Sequence, residues 1–154
     1  MKITEILKPD FIIPSIEAIN KEETLLELAD FLKKKGAIEN KQSLNSALLE
    51  REKLGSTGIG ENVAIPHAKC DEIQQIITLF GRSKKGIEFE SLDQKPVFFI
   101  CLLLAPTNST GQHLKALARI ARLMKSKNLR EEILAAPDEK KIYSLLLDED
   151  SKFI

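Results

Sequence analysis

The 154-residue chain balances 23 Lys and Arg against 23 Asp and Glu, which disfavours a protein that lives on nucleic acid or on anionic membrane through its overall field. With 43% hydrophobic and 30% charged residues it has the make-up of a globular protein that buries a core, and its length suits one domain over residues 1–154. The opening MKITEILKPD has no basic start leading into an apolar run, and no uncharged stretch approaches the roughly 18 residues of a membrane span, so the expectation is a cytoplasmic protein without membrane insertion.

The first helix is expected over 21–35. Asn20 can cap it, Glu23 stands at the capping-box position, Leu25, Leu28, Ala29 and Leu32 form an apolar stripe, and Gly36 ends it. A second helix over 41–54 carries Leu44, Ala47 and Leu48 on one side and stops at Gly55. Arg51 continues that stripe where another leucine is expected, and Glu52 reads as solvent-facing. GSTGIGEN (55–62) has three glycines in eight residues and reads as a loop. VAI (63–65) reads as a short strand that Pro66 ends, because proline has no N–H to give a central ladder.

Residues 76–83 read as a further strand. Val97 to Ala105, bounded by Pro96 and Pro106, has no polar side chain at its centre and suits a strand covered on both faces. Helices over about 110–127, 129–135 and 138–147 supply the cover. The alternation implies an α/β single domain, a mixed central β-sheet flanked by helices on both faces. Strand order is not readable. Cys70 and Cys101 lack CxxC spacing and read as reduced structural thiols; no metal site and no cofactor is implied.

The two histidines sit at special places. His67 follows Pro66 at the end of a strand, beside a glycine-rich loop whose amides at Thr57, Gly58 and Gly60 could hold an anion; read blandly, it is a surface histidine after a proline. His113 lies in the first turn of its helix, where Ser109 and Gln112 fit a capping box. It shares a stripe with Leu117, Ile120 and Met124, so its ring borders the core, and the helix terminus favours the neutral imidazole. It is either a core-edge histidine satisfied by backbone or a group free to bond a neighbour. Arg51 is likewise either a last-turn complement to the helix dipole or a guanidinium fork for a phosphoryl group.

Two further signals carry less. GSTGIGEN lacks the GxxxxGK[ST] order and precedes a strand, so it is not a nucleotide P-loop. Residues 111–130 hold six basic side chains (Lys115, Arg119, Arg122, Lys125, Lys127, Arg130) and no acid, read as a solvated helix face or as a dock for an acidic partner.

EKLGSTGIGENVAIPHA, from Glu52 to Ala68, resembles the active-site signature of the fructose/mannitol-type enzyme IIA family of the phosphoenolpyruvate-dependent phosphotransferase system, through Glu52, Ile59, Gly60, Val63, Ala64, Ile65, Pro66, His67 and Ala68. The block HLKALARIARLM from His113 and the opening ILKPDFIIPSIEAINKEETLLELADFL extend the likeness over nearly the whole chain. LGSTGIG and GQHLKALARIARLM look closer to the nitrogen-regulatory branch than to a sugar-specific subunit.

The resemblance implies a mixed sheet flanked by helices and a phosphocarrier in which His67 takes a phosphoryl group from a small histidine phosphocarrier protein. His113 would orient the group, Arg51 would offset its charge, and the amides about Gly58 and Gly60 would complete a cradle. The onward partner is a IIB domain, through its cysteine, in permease branches and regulatory target proteins in the nitrogen branch.

Overall fold

The apolar run between the two prolines forms the central strand of the molecule. In the computed structural model, which describes residues 1–153, the elements in chain order begin with a 3₁₀ turn Ile3–Glu5. They continue as β1 Ile12–Ile13, α1 Lys21–Lys34, α2 Lys41–Lys53, β2 Gly58–Gly60, β3 Val63–Ala64, β4 His67–Lys69, β5 Ile77–Ile87, β6 Val97–Ala105, α3 Thr110–Met124, α4 Lys127–Ala135 and α5 Glu139–Asp150. The strands make one mixed sheet in the order β1-β5-β6-β3-β2, with β4 also paired to β6. Only Phe98 of β6 is not fully buried; side chains of both parities along the strand are covered, so helices shield both faces as expected.

Helix starts follow local chemistry. Asn20 accepts the Glu23 N–H at 2.9 Å and Asn40 accepts the Ser43 N–H at 2.9 Å, capping α1 and α2. Ser109 does not cap α3; its hydroxyl turns back to donate to the Pro106 carbonyl at 2.8 Å. The helix expected over 110–127 ends at Met124, and the one expected over 129–135 starts earlier, at Lys127, where Ser126 caps it by accepting the Leu129 N–H at 3.2 Å. Arg119 and Arg130, expected on a solvated face, turn inward: Arg119 Nε pairs with Asp150, and Arg130 Nη1 donates to the Met124 carbonyl.

The glycine-rich segment is only partly a loop. Gly58–Gly60 pairs antiparallel with Val63–Ala64, and the two residues between them, Glu61 and Asn62, have φ of 57° and 65°, the positive values that a tight hairpin turn demands. Nor does the strand end at Ile65. Val63 lies opposite Phe99 and His67 opposite Leu103, the same offset, so β4 continues the line of β3 along β6 after an interruption at Ile65 and Pro66. The proline cannot donate, but its carbonyl still accepts the Leu103 N–H at 2.9 Å.

Cys70 and Cys101 are free and buried, and burial pushes the Cys101 thiol up to about 12. Among the described residues no helix is long and apolar enough to cross a membrane.

Candidate functional site

After Pro66, His67 begins a new strand and is only partly buried there. Its Nδ1–H donates to the Ile65 carbonyl at 2.9 Å, an assignment made from the acceptor it faces, and this leaves the Nε2 lone pair outward. Arg51 Nε donates to that Nε2 at 3.2 Å, while its Nη1 donates to the Gly55 carbonyl at 2.9 Å. The ring of His113 stands edge-on to that of His67, centroids 5.3 Å apart and planes at 87°. Three residues drawn from α2, β4 and the first turn of α3 therefore meet at one place.

His113 is buried, and its Nδ1 has no hydrogen-bond partner among the described residues. Burial first, then the His67 ring and Lys69, hold its pKa below the ordinary 6.5, so the imidazole is neutral at pH 7. Desolvation leads, in the same direction as the helix terminus acts. Because the unfolded state binds the extra proton first, stability falls as the pH drops below about 6.5. His113→Gln is expected to flatten that fall, read as denaturation midpoints at neutral and mildly acidic pH; equal slopes in both proteins would contradict it.

Other residues stand where sequence did not put them. The buried stripe of α2 runs Leu44, Leu48, Glu52, so Glu52 is inside and Arg51 sits half-buried at its edge. Glu52 Oε1 accepts the Thr57 N–H at 3.0 Å, Oε2 accepts the Thr57 hydroxyl, and Lys21 Nζ lies 3.1 Å from Oε1. The Gly58 amide donates to Ser56 Oγ at 3.1 Å. The amides of Thr57 and Gly58 are thus occupied and do not form the expected open cradle; Gly60 is taken into the hairpin with φ of 99°.

Lys69 was missed. It lies two residues beyond His67 on the same strand face, and its ammonium donates to Thr110 Oγ1 at 2.9 Å, tying β4 to the start of α3. Reading 67–69 as strand would have placed it there.

Backbone strain gathers nearby. The four non-glycine residues with positive φ among those described are Glu61 and Asn62 in the hairpin turn and Glu90 and Gln94 in the segment that clamps it, where Leu92 N–H donates to the Gly58 carbonyl at 3.0 Å. At Gly58 itself a Cβ would fall 2.3 Å from Ser91 Oγ, so only glycine lets the two segments approach.

Residues 5–149 match the family model described as phosphoenolpyruvate-dependent sugar phosphotransferase system, EIIA 2. The chain is 41% identical over 146 residues to a nitrogen regulatory protein of Bradyrhizobium diazoefficiens, covering 95% of each. It is 37% identical over 150 residues to the fructose-specific EIIABC component of Bacillus subtilis, covering 97% of this chain and 24% of that longer protein. The crystal structure of nitrogen regulatory protein IIA-Ntr from Neisseria meningitidis superposes with a TM-score of 0.85 at 33% identity, covering 94% of this chain and 98% of the other. The chain belongs to the EIIA 2 family of the phosphoenolpyruvate-dependent sugar phosphotransferase system.

Proposed function

We propose that the chain acts as one phosphocarrier domain over residues 1–154, in which His67 accepts a phosphoryl group on Nε2 from the phosphohistidine of a small carrier protein. One observation carries this reading: Nδ1 is tied to a backbone carbonyl while Nε2 is presented to a guanidinium beside a second, buried imidazole. In the transfer, the phosphorus–nitrogen bond to the donor ring breaks as the bond to Nε2 forms, roughly in line. The donor leaves as neutral imidazole, and the His67 ring takes up the positive charge, which the Ile65 carbonyl stabilises through Nδ1–H. Arg51 releases Nε2 and turns its fork to the phosphoryl oxygens; His113 and Lys69 lie close enough to orient and offset the rest.

A protein partner suits the surroundings. Of eight large exposed apolar side chains among the described residues, Leu54, Ile59, Leu92 and Leu114 stand on the segments that build the site, and Leu54 is 84% exposed. Such side chains offer a macromolecular contact that a small metabolite does not need.

The phosphorylation state then acts as a signal: the group adds about −1.5 to −2 charges beside Arg51 and changes affinity for regulatory target proteins. The 41% identity to a nitrogen regulatory protein over 95% of both chains favours this nitrogen-type role. The second reading, a sugar-specific subunit passing the group to a IIB cysteine, is favoured by the 37% identity to a fructose-specific component.

The test incubates the protein with a phosphorylated histidine carrier. An acid-labile, base-stable phosphate mapping to the peptide that holds His67 is expected, and its absence overturns the reading. Adding a IIB domain to the labelled protein separates the two roles: loss of label to the IIB cysteine supports sugar transfer, whereas phosphorylation-dependent binding of a kinase or channel supports regulation.

A further inference from the structure

Glu52 and Lys21 form an ion pair with each residue 8% exposed. Such a pair is a poor way to gain stability, since apolar side chains of the same volume do as well or better. Lys21 is moreover the first residue of α1, where the positive end of the helix dipole opposes a cation. Its ammonium lies 5.1 Å from the centroid of Phe89 and 3.5 Å from Glu90, so it is held in place against local preference.

What the pair holds leads straight to His67. The Glu52 carboxylate takes both the amide and the hydroxyl of Thr57. The Thr57 carbonyl accepts the Ile65 N–H at 3.0 Å, and the Ile65 carbonyl accepts His67 Nδ1–H at 2.9 Å. Meanwhile Arg51, the chain neighbour of Glu52, fixes Gly55 and touches Nε2. Both nitrogens of the ring are therefore referred to the last turn of α2, one through Arg51 directly and the other through Glu52 and two stretches of backbone.

We propose that Glu52, compensated by Lys21, is a positioning residue that sets the tautomer and direction of the His67 ring through Thr57 and Ile65; the reaction it serves is the phosphocarrier transfer argued above. Without the carboxylate, the 55–58 segment loses its inner anchor and the Ile65 carbonyl is free to shift. The imidazole then admits the tautomer with its proton on Nε2, which has no lone pair for phosphorus.

Glu52→Gln is the direct test, because the amide keeps the shape but loses the charge that Lys21 compensates and the second acceptor atom that takes the Thr57 hydroxyl. Nitrogen NMR of the His67 ring at neutral pH is expected to find the Nε2–H form rising from near absence to a measurable share. Transfer from a phosphorylated carrier is expected to slow by about 10- to 100-fold, with KM for the carrier within about twofold of wild type. Thr57→Ser, which keeps amide and hydroxyl, is expected to match wild type in both. A folded Glu52→Gln protein with either the ring population or the transfer rate unchanged overturns the proposal. If Glu52→Gln does not fold, Thr57→Val, which loses only the hydroxyl bond, is read in the same way. If wild-type protein takes no phosphoryl group at all, the phosphocarrier reading falls, and the ring comparison alone decides whether Glu52 positions His67.

Discussion

His67→Gln is expected to reduce phosphoryl uptake from a phosphorylated histidine carrier to background, a loss on the order of 10⁶-fold, the scale seen when an enzyme loses its nucleophile. Glutamine keeps a carbonyl that can accept from Arg51 Nε, so the guanidinium retains a partner and its own bond to the Gly55 carbonyl. What disappears is the basic nitrogen, because an amide nitrogen has its lone pair delocalised into the carbonyl and does not attack phosphorus. The substituted side chain is only partly buried at the start of β4, so folding stability is expected to stay within about 0.5 kcal/mol of wild type. Radiolabel or intact mass after incubation with the carrier reads the loss, and a denaturation curve reads the fold. Were the variant to label like wild type, the phosphoryl group would have to sit on His113, the chain's other histidine, which is 7% exposed and cannot meet a protein donor without the site opening.

Side-chain patterning carries as far as the elements, and the site lies where patterning gives way to pairing. The helices α1 and α2 are visible because their stripes, and the asparagine cap of α1, are local, and β6 is visible because nine apolar residues between prolines leave no other place for them. His67, His113 and Arg51 stand out as polar residues at positions where the pattern wants something else. Glu52 does not, since one step along α2 separates an edge position from a buried one, and a carboxylate in the stripe contradicts the usual rule unless Lys21, thirty-one positions earlier, is known to face it. The hairpin of β2 and β3 is hidden because its turn is Glu61-Asn62, not the Asn-Gly that marks such turns. β4 is hidden because Pro66 argues for an end to the strand, whereas the register along β6 runs on past it. β1, two residues long, carries too little sequence to read and exists only as an edge on β5. The break between α3 and α4 is expected, but it falls a few residues earlier than expected, where Ser126 caps α4 through one hydrogen bond.

Arg82→Met is expected to lower unfolding free energy by about 3 kcal/mol, a large share of the 5 to 15 kcal/mol typical of such domains. Arg82 lies in β5 opposite Phe99 and is fully buried. Among the described residues no carboxylate pairs with it. Its Nε donates to the Pro14 carbonyl at 2.9 Å and its Nη1 to the carbonyls of Ile133, at 2.8 Å, and Ala136, while Nη2 has no partner among the described residues. Burial lowers its pKa, yet a guanidinium remains charged at any working pH. What holds that charge is the end of α4: Ile133 is in its last turn and Ala136 is its C-cap, where unsatisfied carbonyls give the helix its negative pole. Methionine fills much of the volume, so packing loss is small, but it strips the guanidinium donors from three carbonyls, of which only that of Ile133 keeps another among the described residues, the Ala136 N–H at 3.1 Å. The effect should reach the site, since Arg130 of the same helix lies 3.4 Å from Glu61 in the hairpin turn. Arg82→Lys is expected to recover only part of the loss, because a single ammonium cannot span carbonyls from the Pro14 segment and from α4 at once. Denaturant midpoints for the two variants and wild type check this, and an Arg82→Met protein as stable as wild type would show that α4 holds its place without the guanidinium.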